Sequence, residues 1–501
     1  MINQIKQFFL QPLCLSISIF SAALIGFCIS LWVISPGFIF ALSDAANYPR
    51  GDQAQALTGA IYFIRDEWRF PLFAVQNIGL GFPINVAFMD SIPLFAVLFK
   101  LWYGLTGEIV NYSGYWIASC FILQAIAFTL LIRRFSNVNL VVIITTTLLV
   151  CLAPSLLFRY WLWHLALCGH FLIIFALLLY FRLDKTDSWQ RLTFYWLLLL
   201  IAALWVHPYF LAMCFPFFII YVVQRIRFQP DFITIKHMFV LSALVIGGLI
   251  SVMLLSGHIS TTSIVKPDSG FGNYSMNLLA PFGAMGKSGI ITGTGHFAKA
   301  TDGQIEGFNY LGAGLFLGLG LTIYAAAMRP RHILIPAIKK HWPIIILFLG
   351  FSIFSLSNRI FIGPELFLEY SFPKILMDIA NTFQSSGRFF WPVFYGLLLT
   401  STLFILRSFP ERIALWLLVL VTTLQVWDTR ILREIAVSEK PMGEIAADPA
   451  LQAVFAAHRR VEIYPPSKCA HGKAEEQNYE LQLLAAAYGL KMNRISGARL
   501  T

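Results

Sequence analysis

Eleven apolar stretches, each close to the length of a bilayer crossing, leave this chain few ways to fold. They lie at 10–35, 115–132, 138–156, 165–181, 192–206, 209–223, 237–255, 308–328, 343–357, 389–406 and 412–427. A hydrocarbon core takes about 17–25 apolar residues as a helix. Inside it every backbone N–H and C=O must find a partner within the protein, which selects helices over open strands. The residue balance agrees. Of the 501 residues, 58% are hydrophobic and 12% are charged, against about 25% charged in soluble domains. A water-soluble multidomain enzyme is excluded. The charges are also uneven: residues 428–501 hold 19 in 74 positions, and residues 1–427 hold 42. The expected fold class is an all-α polytopic membrane domain of eleven transmembrane helices over 1–427, followed by a small soluble α/β tail over 428–501. In that tail, helical stretches at 442–457 and 475–490 flank a β-rich run at 460–464 and a Pro465-Pro466 turn.

Orientation follows from the basic residues. A twelfth apolar run, 92–105, is short and contains Pro93, Lys100 and Gly104, so it reads as a helix lying in the membrane interface. With eleven spans and a cytoplasmic N-terminus, 15 basic residues fall in about 57 inner positions and 11 in about 173 outer ones, as the positive-inside rule requires. A twelfth span would reverse that bias. The C-terminus is then expected outside. Twelve of the 16 Asp and Glu before residue 428 fall on the outer segments 36–114, 256–307 and 358–388. The first apolar stretch exceeds a signal-peptide core of about 7–15 residues and reads as an uncleaved span. The seven cysteines form neither a disulfide framework nor a zinc pattern.

The outer loops carry the candidate chemistry. Asp52 precedes a stretch with apolar residues at Ala54, Leu57, Ile61, Ile64 and Trp68, a stripe expected to lie along the membrane surface. Asp52 fits an N-cap, and equally a carboxylate held rigidly at a cavity mouth as a general base; the two readings are compatible. Asp90 stands before the interfacial run and could cap it. His164, His170 and His207 map to span ends without metal spacing. Arg388, at the entrance to the tenth span, fits either interfacial anchoring or bidentate binding of a phosphate. Gly286-Lys287-Ser288 ends like a nucleotide-binding loop, but Pro281 occupies the place of its first glycine.

An acid-bearing first outer loop followed by a surface helix resembles the GT-C superfamily, multi-span glycosyltransferases that use polyprenyl-phosphate-linked sugars. More narrowly, the chain resembles a family of uncharacterised bacterial multi-pass proteins. The stretches that carry this are Gly51-Asp52, Trp68-Arg69-Phe70-Pro71-Leu72, Asp90-Ser91-Ile92-Pro93-Leu94, Gly169-His170 and His207-Pro208-Tyr209. To these add Gly272-Asn273-Tyr274-Ser275-Met276-Asn277, Glu306-Gly307-Phe308-Asn309-Tyr310 and Ser386-Gly387-Arg388-Phe389. Gln53 departs from the usual proline after Gly-Asp and leaves the acid intact. The resemblance implies amphipathic surface helices in the first periplasmic loop. It also implies inverting sugar transfer from a polyprenyl-phosphate donor to an envelope glycan, lipid or protein acceptor. Asp52 would be the base, with Asp90 its alternate or partner, and Arg388 the phosphate contact. His170, His207 and Glu306 would line the site, with Asp44 and Lys266 as further substrate contacts. No cofactor is demanded, although the superfamily leaves room for a divalent cation (Mg or Mn) shared by Asp52 and Asp90. Membrane lipids are partners and nucleic acid is not.

A transporter or lipid flippase is the competing class. It calls for ionisable residues within the spans and for broken, repeated helices, whereas here the charges gather in the outer loops. A non-catalytic envelope scaffold ranks below both, because it leaves those acids and cations unexplained.

Overall fold

A computed structural model describes residues 14–40, 51–78, 83–182, 188–259, 270–291, 299–329, 331–437, 445, 448–464 and 473–493. Asp44 and Lys266 lie outside the described residues. The described chain is mostly helical. In order, the helices are α1 (Leu15–Val33), α2 (Gly51–Arg65), α3 (Pro93–Thr106), α4 (Ser113–Arg133), α5 (Leu140–Cys151), α6 (Pro154–Trp161) and α7 (Phe171–Tyr180). Next come α8 (Trp189–Val206), α9 (Pro208–Phe228), α10 (Phe232–Leu255), α11 (Ala313–Ala327), α12 (Arg331–Leu356) and α13 (Lys374–Thr382). The chain continues with α14 (Trp391–Ser408), α15 (Glu411–Asp428), α16 (Arg430–Val437), α17 (Pro449–Ala457) and α18 (Lys473–Tyr488). The strands are short antiparallel pairs, β1 (Ala74–Val75) with β2 (Ile84–Asn85) and β3 (Arg359–Ile362) with β4 (Glu365–Glu369). A parallel pair, β5 (Arg460–Val461) with β6 (Lys491–Met492), lies in the tail.

Among the described residues, seven helices are long and apolar enough to cross a membrane: α1, α4, α8, α9, α10, the 338–356 part of α12, and 386–408 including α14. An eighth crossing is available if the bent pair α5–α6 counts as one span. Asn139 starts that pair by accepting from the Val142 N–H, and Pro154 opens α6 after a break that turns the chain by 48°. Proline lacks the N–H needed to continue the preceding helix and clashes with its last turn. Helices α7 and α11 are apolar but shorter. In α15 the apolar stretch is bounded by Glu411, Arg412 and Asp428. The bundle is closed by α1 against α4 and α5, α4 against α7, α8 against α9 and α10, and α11 against α14 and α15.

One expectation about the first loop changes. The stripe on α2 does not face a membrane surface: Ala54, Ile61 and Ile64 are buried, with α3 and the tail helix α18 packed on α2. The outward amphipathic helix is α3, whose Leu98, Leu101, Trp102 and Leu105 are exposed at spacings of three and four. Lys100 turns inward from the same helix. Its Nζ donates to the Glu67 carbonyl at 3.1 Å and lies 4.2 Å from the Phe63 ring centre, so a cation–π contact and a hydrogen bond compensate for its burial.

The tail is docked on the membrane domain. Arg65, at the end of α2, donates to the carbonyls of Ala486 (2.6 Å) and Ala487 (2.7 Å) in the last turn of α18, where the helix runs out of its own donors. Tyr62 Oη donates to the Leu490 carbonyl at 2.6 Å, and Met492 bridges to Ile78.

Candidate active site

Three loop stretches far apart in sequence converge because two glycines allow backbone contact. A Cβ on Gly387 would stand 2.6 Å from the Gly307 Cα, and one on Gly307 would overlap the Ser275 carbonyl. No larger residue fits between them. Gly387 N donates to the Tyr274 carbonyl at 3.1 Å, and Asn309 Nδ2 donates to the Gly387 carbonyl at 2.8 Å. Phe308 stacks on Phe158 with ring centres 4.1 Å apart. This packing brings Glu306, Arg388 and Arg159 together.

Glu306 is the hub. Its Oε2 accepts from Arg159 Nη1 at 2.5 Å, and from Arg388 Nε at 2.9 Å and Nη2 at 2.8 Å; Arg159 Nη2 also donates to the Glu306 carbonyl at 2.7 Å. Burial works against its charge, but Arg159, Arg388 and His164 outweigh that and hold the carboxyl well below the usual carboxylate range. The two guanidinium groups and one carboxylate leave the group with a net positive charge. Arg159 is fully buried, while Arg388 opens onto a cavity with its guanidinium 4.7 Å above the Tyr209 ring.

Two further carboxylates face this cavity, each bound by an imidazole. Asp52 lies within the first turn of α2, which starts at Gly51, so it is one residue inside the helix and not ahead of it. Its Oδ2 lies 2.9 Å from His164 Nε2, and its side chain is 58% exposed. An ionised carboxylate only accepts, so Nε2 carries the shared proton. His164 Nδ1 then faces Arg159 Nη1 at 3.4 Å and Glu306 Oε1 at 3.6 Å. Asp90 pairs with His207, Oδ1 to Nε2 at 3.2 Å. The Tyr209 N–H donates to His207 Nδ1 at 3.2 Å, so Nε2 again holds the proton. His207 is held in place because it caps α9 from an extended backbone just before Pro208. Asp90 itself sits at φ 55° and Ile92 at φ 50°, a strained pair that costs free energy unless the surroundings enforce it. Ser91, between them, is pinned on both sides: its Oγ donates to the Ala56 carbonyl at 2.7 Å, and its own carbonyl accepts from Tyr112 Oη. Burial disfavours the Asp90 charge, but the His207 hydrogen bond, together with Arg388 and His164, keeps its proton affinity below that of an ordinary aspartate.

The cavity has a volume of about 520 Å³. Asp52, Asp90, His207, Glu306 and Arg388 line it together, as do Gln55, His164, Tyr209, Tyr274, Gln384, Ser385 and, from the tail, Tyr479. A narrower recess, more apolar in its walls, opens on the other side of Asp52, Asp90 and His164, between Leu57, Ile92 and Trp163. His170 is not part of the cavity. It is fully buried, stacks on Trp391 at 4.3 Å and binds Tyr395 Oη at 2.8 Å, itself held by Gln124. His164 stands where His170 was expected to line the site. Arg159 went unrecognised in the sequence, although an arginine at the end of an apolar run is the kind of residue that marks a polar site in a membrane protein.

A divalent ion shared by Asp52 and Asp90 does not fit this arrangement. Each carboxylate is bonded to its own imidazole proton, and among the described residues no group of three or more His, Cys, Asp and Glu side chains is placed to hold a metal.

The fold and site define a multi-pass helical membrane protein with a polar cavity walled by its inter-helix loops and its tail. Residues 23–430 match the family described as Domain of unknown function (DUF6311), and the chain belongs to that family. The match ends as the tail begins, so Tyr479 comes from outside it. No curated protein and no solved structure matches the chain.

Proposed function

We propose that the protein is a membrane glycosyltransferase that moves a sugar from a polyprenyl-phosphate donor to a cell-envelope acceptor. The observation that carries this reading is one cavity lined by both a histidine-held carboxylate, Asp52–His164, and a guanidinium, Arg388, which Glu306 ties to the buried Arg159 behind it in a group of net positive charge. Glycosyl transfer from a lipid phosphate needs a base at one end of the reacting bond and a cation at the other.

In the reaction, Asp52 takes the proton of an acceptor hydroxyl as its oxygen attacks the anomeric carbon. The bond from that carbon to the phosphate oxygen breaks on the opposite face, the electron pair leaves with the phosphate, and the configuration inverts. His164 orients Asp52 and keeps one carboxylate oxygen occupied, leaving the other for the hydroxyl. Arg388 takes up the charge developing on the phosphate, and Arg159, through Glu306, holds it in place. Asp90, whose Oδ1 is engaged by His207, binds sugar hydroxyls in this reading. The leaving group is already a phosphate on the donor, so no nucleotide enters the step.

The same reading keeps eleven crossings, with the short helices α7 and α11, the bent pair α5–α6 and α15 all spanning. The N-terminus is cytoplasmic, and the cavity and tail are periplasmic, in a bacterial inner membrane. The test is to compare envelope glycans by mass spectrometry in cells carrying the wild type, Asp52→Asn or no protein. General-base loss lowers turnover by about 10²–10⁴-fold, so the Asn variant should reproduce the glycan profile of the cells without the protein. A wild-type profile from Asp52→Asn would sink the assignment.

A further inference from the structure

Between α12 and α14 the chain runs through the β3–β4 hairpin and the nine-residue helix α13, and this segment shows water more large apolar side chains than a soluble surface would. Leu366, Phe367 and Leu368 of β4 are 45%, 66% and 48% exposed among the described residues, and Ile375, Leu376 and Ile379 of α13 are 76%, 51% and 59% exposed. At 100° per residue α13 has three distinct sides. Met377 and Ala380 turn to the protein, Lys374, Asp378 and Asn381 form a polar sector, and Ile375, Leu376 and Ile379 form the third, apolar side.

Both ends of the segment are tied to membrane-crossing helices. Tyr370 N donates to the Asn358 carbonyl at 3.0 Å and Tyr370 Oη to the Ser357 carbonyl at 2.8 Å, fastening the hairpin to the end of α12. That helix exposes Ile345, Ile346, Leu349 and Ile353, a face suited to lipid. At the other end Phe383 packs on Tyr209 and Phe389, three residues beyond Ala380 and at the start of the span that includes α14.

We propose that β4 and the apolar side of α13 rest in the lipid surface of the bilayer, as a second interfacial element beside α3. The segment follows directly on α12, to whose end Tyr370 fastens it. An amphipathic helix with apolar and charged sectors side by side is the form that buries its apolar side at the headgroup boundary and leaves its charges wet. An edge strand with apolar residues on both faces invites pairing with other chains in water. At a bilayer surface its side chains are covered by lipid while its backbone and Glu365 and Glu369 stay hydrated. Because Gln384, Ser385 and Arg388 follow α13 directly, this seating sets the cavity rim at headgroup depth. The inference rests on the membrane fold and is independent of the reaction proposed above.

The test uses the full chain in vesicles of phosphatidylethanolamine and phosphatidylglycerol. The photoreactive residue p-benzoyl-phenylalanine replaces Phe367, Ile375 or Ile379 in turn, with Ile353 as the mid-span reference and Asp378 as the polar-sector control. After irradiation, adducts are identified by mass spectrometry. Lipid adducts at 367, 375 and 379 should reach within about threefold of the yield at 353 and exceed that at 378, as expected for side chains at the acyl boundary. Adducts to a second copy of the chain, or no lipid adducts at the three positions while 353 reacts, would overturn the proposal. All three positions are exposed, so the bulky residue does not disturb the core, and gel filtration of each variant checks the fold.

Discussion

Glu306 accepts hydrogen bonds from two arginines while a histidine stands within 3.6 Å, and the behaviour of the site turns on that one side chain. Its folded-state proton affinity is depressed, so its contribution to stability is complete above the unfolded glutamate pKa of about 4.3 and is lost as the pH falls through the lower folded value. Glu306→Gln leaves the buried Arg159 and the cavity-lining Arg388 without their shared counter-charge, and breaking a buried ion pair costs about 3–5 kcal/mol. The variant should melt at a lower temperature than the wild type at pH 7. Its further loss of stability on acidification below about pH 4 should be smaller than the wild type's, because the group that titrates is gone. Thermal melts across that range in detergent check both. An acid limb as steep as the wild type's would mean that Glu306 is not the titrating partner. The importance of Arg159 could have been suspected from its place at the end of an apolar run. Its pairing with Glu306, 147 positions away, could not.

The elements show how packing overrides a correct periodic reading. The stripe on α2 is real, but apolar periodicity says only that one side is buried, not what buries it. The cover is α3 and the tail helix α18, so the helix expected at the membrane surface is an interior one. The dock of α18 is held by Arg65 and Tyr62 on α2. Removing the Arg65 bonds costs about 1 kcal/mol each, in line with partly exposed backbone hydrogen bonds. Arg65→Ala should therefore leave the membrane domain folded but make the tail an earlier target in limited proteolysis, with Tyr62→Phe intermediate. Unchanged cleavage would show that other contacts hold the tail. Because Tyr479 on α18 forms part of the cavity wall, loosening this dock should also weaken substrate binding more than it slows turnover.

At the scale of the whole molecule, the helices on which the loops depend are those that hydropathy and length identify. Among the described residues, seven are long and apolar enough to cross a membrane, and an eighth needs the α5–α6 bend. The proposed eleven-span arrangement also needs α7, α11 and α15, which are shorter or bounded by charge. An alkaline phosphatase reporter fused after Thr501 should be active in cells, and a green fluorescent protein fused there should stay dark. The reverse pattern would place the tail in the cytoplasm and remove the lipid-phosphate reading with it.

The class of fold was legible in the sequence because helices in hydrocarbon satisfy their own backbone, so length and apolarity suffice to find them. The cavity residues Asp52, Asp90, His207 and Arg388 were legible too, as polar groups in the loops between apolar runs, and Glu306 through the family resemblance. Only the tertiary structure determined how they combine. It gave Asp52 and Asp90 separate imidazole partners, replaced His170 with His164 and brought in Arg159 and Tyr479. These choices depend on distances across the cavity, which are set by glycine-to-glycine backbone contact between Gly307 and Gly387 and by the docking of the tail. Neither leaves a periodic trace along the chain.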